Sequence, residues 1–217
     1  MNITRTSNQT IEPTQVAGFN QLYDDFNGTI AWKYGVAADQ KFSKNISAGI
    51  EYSERKLDVP IGISSGNWSE QLGRAYIYLT PHNLISLSAE YFYEKFNRRE
   101  NPAETGIIDV KTHRVPITIN IFHSTGLSFM LKTSYVHQSG VFEKEKMPLL
   151  GNSDFYIVDL DVNYRLPLRF GMVSFGVKNL FDNRFQYQSN NSFLGNNSNE
   201  TPFAPDRTLF TRIKLAF

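Results

Sequence analysis

Apolar and polar residues alternate with a period of two along most of the chain. Between residues 156 and 166, for example, Val158, Leu160 and Val162 alternate with Asp159 and Asp161. A period of two sends successive side chains to opposite faces of a β-strand, and no helical period of useful length occurs. The pattern predicts ten strands, with the least regular alternation in the first: residues 10–22, 32–38, 46–53, 73–79, 85–94, 115–121, 127–135, 156–166, 173–177 and 207–217.

The connections between these predicted strands alternate in length. Read back from the C-terminus, they are long (190–206), short (167–171), long (144–153), short (123–126), long (97–109), short (81–83), long (59–70) and short (43–45). Up-and-down strands connected in this way have one end of tight turns and one end of long loops. Outer-membrane β-barrels have this form.

Alternation alone does not distinguish a barrel from a soluble β-sandwich, because both have strands with one apolar face. Runs such as 156–166 are longer than the roughly 5–6 residues of a typical globular strand. Aromatic residues fall near strand ends, where membrane interfaces place them. The polar faces also carry opposite charges close together, as a ladder lining a water-filled lumen would: Asp159, Asp161, Lys178, Arg212 and Lys214. We therefore predict an all-β, antiparallel up-and-down transmembrane β-barrel segment of about ten strands.

Composition excludes several other classes of protein. The 217 residues carry 22 Lys and Arg against 21 Asp and Glu, so there is no basic footprint for nucleic acid. Mean hydropathy is -0.36, and no apolar run approaches the roughly 20 residues of a membrane-spanning helix. The chain has no cysteine, which removes disulfides, zinc–cysteine sites and thiolate nucleophiles. The four histidines show no metal-ligand spacing, so we expect no metal, no cofactor and no catalysis: His82, His113, His123 and His137.

The C-terminal region carries two segments with a more specific pattern. They read VSFGVKNLFDNRFQYQ at residues 173–188 and APDRTLFTRIKLAF at residues 204–217. Together they resemble the end of TonB-dependent outer-membrane receptors, in which an N-L-F-D element is followed by a loop, a Pro-x-Arg segment and a last strand ending in Phe. The matching residues are Asn179, Leu180, Phe181, Asp182, Pro205, Arg207 and Phe217.

The chemistry of these residues predicts structural roles for them. Asn and Asp side chains bond to nearby backbone, so Asn179 and Asp182 are expected to cap the change from strand to loop rather than to bind a ligand. Arg207 is expected to be a salt-bridge partner rather than a substrate anchor.

The resemblance implies that residues 1–217 are the C-terminal portion of a receptor barrel of about 22 strands, with the plug domain and the N-terminal strands absent. Such receptors import a scarce small-molecule ligand, of the ferric siderophore, cobalamin or glycan class, across the outer membrane of a Gram-negative bacterium. The implied partners are outer-membrane lipid, the assembly machinery that reads the terminal Phe217, and the TonB system acting through the missing N-terminal part. No enzyme activity is implied.

Two other interpretations remain open from the sequence. The first is a self-contained ten-stranded barrel, either a passive pore or an omptin-like surface protease. A protease needs paired acids and a histidine at the extracellular rim, and His113 with Asp109 and Glu104 does not make a convincing set. The second is a soluble β-sandwich that acts as a binding module.

Overall fold

The protein is all-β in the computed structural model, which describes residues 11–16, 19–24, 28–61, 64–98, 106–144, 147–185 and 206–215. Pro205 and Phe217 of the C-terminal signature lie outside these residues. Within them the chain forms eleven strands and a single 3-10 turn at Pro167–Arg169. The strands are β1 (Ile11–Val16), β2 (Phe19–Asp24), β3 (Ile30–Lys41), β4 (Ile46–Ile61), β5 (Ser64–His82), β6 (Ile85–Asn97), β7 (Gly106–Phe122), β8 (Leu127–Lys144), β9 (Met147–Arg165), β10 (Gly171–Lys178) and β11 (Thr208–Leu215).

Nine of these strands form one antiparallel up-and-down sheet. Strands β3 to β11 follow one another across the sheet in chain order, and each pairs with its neighbour in sequence. This confirms the predicted all-β class and the up-and-down connectivity. Strands β3 and β11 lie at the two edges and do not pair with each other, so the described sheet is not closed into a barrel.

The prediction of one strand over residues 10–22 is wrong. The described part of this segment belongs to two short strands, β1 and β2, which pair with each other in a separate sheet, with Val16 opposite Phe19. Pro13 lacks the N–H that a central strand must donate, so a long paired strand here is unfavourable. The two residues between the strands include Gly18, and such a short connection is typical of a tight hairpin. The large sheet therefore has nine described strands rather than ten.

The predictions of long loops at residues 59–70 and 144–153 are also wrong. Strand β4 continues to Ile61 and β5 begins at Ser64, while β8 continues to Lys144 and β9 begins at Met147. Pro60, Gly62 and Gly66 suggested a loop over 59–70, yet the register continues with Leu57 opposite Trp68. The strands are long enough to extend well past the region of regular alternation, and β5 and β9 each contain 19 residues.

The two ends and two faces of the nine-strand sheet can be named from this arrangement. The lower half lies next to the four short turns at residues 42–45, 83–84, 123–126 and 166–170, and the upper half lies towards the opposite end. The outer face carries Ile50, Ile117 and Leu131, and the inner face carries Glu51 and Arg74. Among the described residues, no helix has the length and apolar character of a membrane span.

Candidate functional site

A continuous band of apolar side chains crosses the outer face of the lower half. It includes residues from all nine strands: Val36, Ile50, Ile77, Leu87, Ile117, Leu131, Leu160, Phe175 and Ile213. Many of these side chains are exposed, with Val36 at 71%, Phe175 at 59% and Ile213 at 63% of their full area. Water-facing surfaces rarely carry apolar patches of more than a few hundred Å². Among the described residues this band is therefore an apolar surface that the rest of the protein leaves exposed.

The height of the apolar band can be compared with that of outer-membrane barrels. On β9 it extends from Tyr156 to Tyr164, which are eight residue steps apart, or about 27 Å along the strand at roughly 3.4 Å per step. With a barrel strand's tilt of about 35–45° this projects to about 19–22 Å, slightly less than the roughly 25 Å apolar band of outer-membrane barrels. Exposed Phe42, Phe122 and Phe170 lie at the short turns, just below the band.

A row of aromatic side chains marks the upper border of the band. We call these residues the aromatic row: Tyr52, Tyr91, Tyr93, His113, Tyr135, His137 and Tyr156. Tyr52, Tyr93, His113 and His137 share one line of cross-strand register, which passes through Gly73 on β5. Tyrosine rings prefer the membrane–water interface because one end is apolar and the other is polar.

Hydrogen bonds connect several members of the aromatic row. The Tyr91 hydroxyl lies 2.7 Å from His113 Nδ1, and His137 Nδ1 lies 2.6 Å from a carboxylate oxygen of Asp154. Tyr135 donates to the same Asp154 oxygen at 2.8 Å. The sequence does not predict this cluster, because the histidines come together only through the register of β7 and β8.

In the upper half the buried apolar side chains lie on the inner face, which they share with the Arg55–Glu70 ion pair and with buried Thr112 and Gln138. There the inner face holds the buried apolar side chains, which are Leu57, Val59, Trp68, Phe96, Val110, Val136 and Phe155. Leu57 and Phe96 are each 3% exposed, and the Trp68 and Phe96 rings meet edge to face at 5.7 Å. The outer face at this level is mainly polar, with Lys56, Asn67, Lys95, Asn97 and Lys111. Exposed Ile30 and Trp32 on the edge strand and Leu150 on β9 are exceptions.

The inner face of the lower half carries a network centred on Arg74. Its Nη2 lies 2.7 Å from Glu90 and its Nη1 lies 3.9 Å from Glu51. The same guanidinium donates to the Tyr78 hydroxyl at 3.0 Å and lies 4.7 Å from the centre of the Tyr76 ring. Each charge has a partner of opposite sign, which is how polar groups are stabilised on a partly enclosed surface.

The charge ladder predicted near the C-terminus lies on the inner face of β9, β10 and β11. Lys178 Nζ lies 3.3 Å from Asp159 and 3.9 Å from Asp161. Lys178 and Arg212 lie near the same Phe210 ring, at 5.7 and 5.8 Å from its centre. Lys214 is two residues further along β11, opposite Met172.

Two glycines allow inner-face side chains to lie across a neighbouring strand. Gly176 on β10 has Asp161 on one side and Phe210 on the other, and a Cβ at Gly176 would overlap both side chains. Gly49 on β4 is placed in the same way, and the Tyr76 hydroxyl donates to Asp39 across it. The absence of a side chain at these positions brings an acid and an aromatic ring together across a strand.

The N-L-F-D element forms a turn closed by side-chain hydrogen bonds to backbone. Asn179 is buried, has a positive φ of 51°, and its side chain bonds the backbone N–H and carbonyl of Asn183. Asp182, with φ of 55°, accepts the backbone N–H of Arg207 at 2.7 Å. Leu180 donates its N–H to the Val158 carbonyl, while Phe181 is exposed. The turn therefore fixes the beginning of β11 against the end of β10.

The residues considered for a protease do not converge in the structure. Asp109 accepts a hydrogen bond from Asn97 at 2.8 Å, whereas the partner of His113 is Tyr91. Glu104 lies outside the described residues. The described part of the chain contains no group of three or more side chains that could hold a metal ion.

No family of known proteins, no curated protein and no solved structure matches this chain. Its function is therefore inferred from the arrangement of its own residues and from the resemblance carried by its C-terminal segments.

Proposed function

We propose that this chain forms part of the barrel wall of a TonB-dependent transport receptor in the outer membrane of a Gram-negative bacterium. The observation that carries the proposal is the change, along the strands, of the face that carries the apolar side chains. Below the aromatic row the sheet is apolar outside and charged inside. Above it the outer face is mainly polar, and the inner face holds the buried apolar side chains together with the Arg55–Glu70 ion pair. A change of surrounding solvent from lipid to water at the aromatic row accounts for both halves.

A soluble β-sandwich accounts for the lower half poorly. A sandwich buries the apolar face of each sheet against a second sheet. In this protein the apolar face is the more exposed one, as Val36 and Phe175 show, and the ion-paired face is the less exposed. In a membrane protein, acyl chains would cover Val36 and Phe175.

The open edges favour a piece of a larger barrel over a self-contained one. In a sheet of nine up-and-down strands the first and the last strand run in the same direction, so β3 and β11 are parallel to each other. An antiparallel barrel can close only if an odd number of further strands lies between them. The β1–β2 hairpin has two strands, an even number. Bacterial outer-membrane barrels have an even total, which nine strands and an odd remainder satisfy. Unpaired edges in lipid cost several kcal/mol for each unsatisfied group.

The inner face suits the lumen of such a receptor. Arg74, Glu90 and Lys178 are charged and paired, and a water-filled interior solvates such groups. The proposed mechanism is capture of a scarce ligand at the loops, followed by passage through the lumen once the plug is displaced. This chain supplies wall and loops, with no catalytic step.

The partners proposed for the chain follow from the same function. Outer-membrane lipid contacts the apolar band, and the assembly machinery reads the terminal Phe217. The TonB system acts through the N-terminal part of the receptor, and the transported ligand is a ferric siderophore, cobalamin or a glycan. We propose no nucleic-acid partner.

Uptake by cells tests this function. Deleting the coding sequence of the chain should abolish energy-dependent uptake of one of the three ligand classes, and a protonophore should abolish the same uptake in wild-type cells. Restoring the intact gene is the control. Uptake that continues in the presence of the protonophore would indicate a passive pore and contradict the proposal.

A further inference from the structure

Two imidazole rings come together on the outer face of the sheet, in the aromatic row. His113 and His137 are directly opposite each other on β7 and β8, and their ring centres are 6.0 Å apart. The other two histidines of the chain, His82 and His123, lie at separate short turns. The register of β7 and β8 therefore creates one pair of neighbouring imidazoles, which spacing along the chain does not reveal.

Hydrogen bonds hold the two rings from opposite sides. His113 Nδ1 lies 2.7 Å from the hydroxyl of Tyr91 on β6, and His137 Nδ1 lies 2.6 Å from a carboxylate oxygen of Asp154 on β9. Strands β6 and β9 flank the β7–β8 pair on its two sides. The two Nδ1 atoms therefore point away from each other, which turns the ring edges that carry Nε2 towards the space between β7 and β8.

These hydrogen bonds also determine which nitrogen can bind a metal ion. An ionised carboxylate only accepts, so Nδ1 of His137 carries a hydrogen and the neutral ring has its lone pair on Nε2. Histidines that bind metals commonly donate their other ring N–H to a carboxylate, which orients the ring and raises its basicity. His113 has the same form when its Nδ1–H donates to the Tyr91 hydroxyl oxygen.

The spacing of the two rings fits a single metal ion. With a metal–nitrogen bond of about 2.0–2.1 Å, each ring centre lies roughly 3.2 Å from the ion, so two ring centres are about 4.5–6.4 Å apart for angles of about 90–180° at the metal. The observed 6.0 Å lies within this range. The side chains of His137 and Asp154 are 34% and 49% exposed, so an ion and its bound waters can reach the pair.

A pair of imidazoles favours copper among the divalent metals. Zinc sites take three or four protein ligands, whereas Cu²⁺ accepts tetragonal sets of nitrogen and oxygen ligands and binds most strongly of the first-row ions. We propose that His113 and His137 bind Cu²⁺ together through their Nε2 atoms. Asp154 is a positioning residue for His137, and water completes the coordination. This site does not depend on the proposed transport function.

Electron paramagnetic resonance of Cu²⁺ added to the complete protein that contains this chain, purified in detergent, tests the proposal. The wild type should give a spectrum with coupling to two histidine nitrogens, and H113Q and H137Q should each lose it. The matched controls H82Q and H123Q should keep it. Asp154→Asn retains both ligands, so it should keep the two-nitrogen spectrum but weaken Cu²⁺ affinity by about 10–100-fold.

Three results would overturn the inference. The first is a wild type without a two-nitrogen spectrum. The second is a two-nitrogen spectrum that H113Q and H137Q both leave unchanged, which would assign the copper to other groups. The third is displacement of Cu²⁺ by an equal concentration of Zn²⁺, which would contradict the choice of metal. Circular dichroism of each variant excludes misfolding as the cause of a lost spectrum.

Discussion

The two halves of the nine-strand sheet share strands β3 to β9 but differ in where their apolar side chains lie. On β6, Phe96 is buried on the inner face of the upper half, whereas Leu87, nearer the short turns, lies in the outer apolar band. On β8, Val136 is buried on the inner face while Leu131, five residues earlier, is 42% exposed on the outer face. A strand of a water-soluble sheet keeps its apolar residues on one face throughout. The proposed change from lipid to water along the strand accounts for this difference.

The comparison also separates two kinds of stabilisation. In the upper half, contacts such as Trp68 against Phe96 are made within the protein. In the lower half, the contacts within the protein are mainly the backbone ladder and the paired charges of the inner face, and under the proposed function the outer apolar side chains are covered by lipid. Substitutions in the two halves should therefore fail for different reasons.

The largest effect is expected from Phe96→Ala. Removing a ring that is 3% exposed leaves a cavity beside Trp68 and should lower the free energy of unfolding by about 3–5 kcal/mol. Urea denaturation of the complete receptor that contains this chain, folded in vesicles, measures this loss. Phe181→Ala is the control, because its ring is 66% exposed and its removal should change stability by less than about 0.5 kcal/mol. Equal effects at the two positions would contradict a packed upper core.

A charge in the apolar band should have the next largest effect. Leu131→Arg places a guanidinium on the outer face of the lower half and should cost about 2–4 kcal/mol if this face contacts lipid. Ser139→Arg, on the same face of the same strand but above the aromatic row, should be nearly neutral. The fraction of each variant that folds in vesicles provides the measurement. If L131R folds as well as S139R, the outer face contacts water both below and above the aromatic row, which would contradict the account.

A side chain at Gly176 should disturb the inner face of the lower half. Gly176→Ala forces Asp161 and Phe210 apart, and overpacking of this kind costs about 1–3 kcal/mol. Gly73→Ala is the matched control, since its new Cβ would make ordinary contact with Tyr93 at 3.5 Å. Because φ at Gly73 is not positive, that change should be neutral or stabilise by about 0.4–1 kcal/mol. Unfolding of both variants at the same urea concentration would contradict the close packing of Asp161 and Phe210 over Gly176.

The smallest effect is expected from breaking a single ion pair. Glu90→Gln weakens the 2.7 Å contact between Glu90 and Arg74. Both side chains are about one-fifth exposed, and the change should lower the free energy of unfolding by about 1–2 kcal/mol. Glu94→Gln affects the 3.4 Å pair with Arg114, which is about twice as exposed, and should cost no more than about 1 kcal/mol. Urea denaturation at low and high salt compares the two. A larger loss in E94Q than in E90Q would mean that the inner face is not ordered as described.

The sequence predicted the strands of the sheet but not its upper half. Regular alternation in 156–166 places apolar residues on one face and charged residues on the other, so the strands of the lower half can be predicted from the sequence. Above the aromatic row the pattern shifts to the opposite face, and Pro60 and Gly66 appear within paired strands. A period of two does not reveal that the apolar residues move to the other face. The sequence pattern therefore predicts loops at residues 59–70 and 144–153, where the structure has strands.

The candidate site was predictable to a similar extent. Lys178 and Asp159 are 19 residues apart in sequence, and a simple turn between their strands was enough to place them together. Tyr91, His113 and His137 could not be grouped, because that requires the exact register of three strands. The capping roles of Asn179 and Asp182 followed from the tendency of their side chains to bond local backbone.

Solvent accessibility at single spin labels on β8 tests the central claim most directly. The chain has no cysteine, so Leu131→Cys, Lys132→Cys and Ser139→Cys each give one labelled site in vesicles. The account predicts that the label at Leu131 is reached by oxygen and not by a water-soluble nickel chelate, whereas labels at Lys132 and Ser139 are reached by the chelate. Equal access of the chelate to Leu131 and Ser139 would contradict a change from lipid to water at the aromatic row.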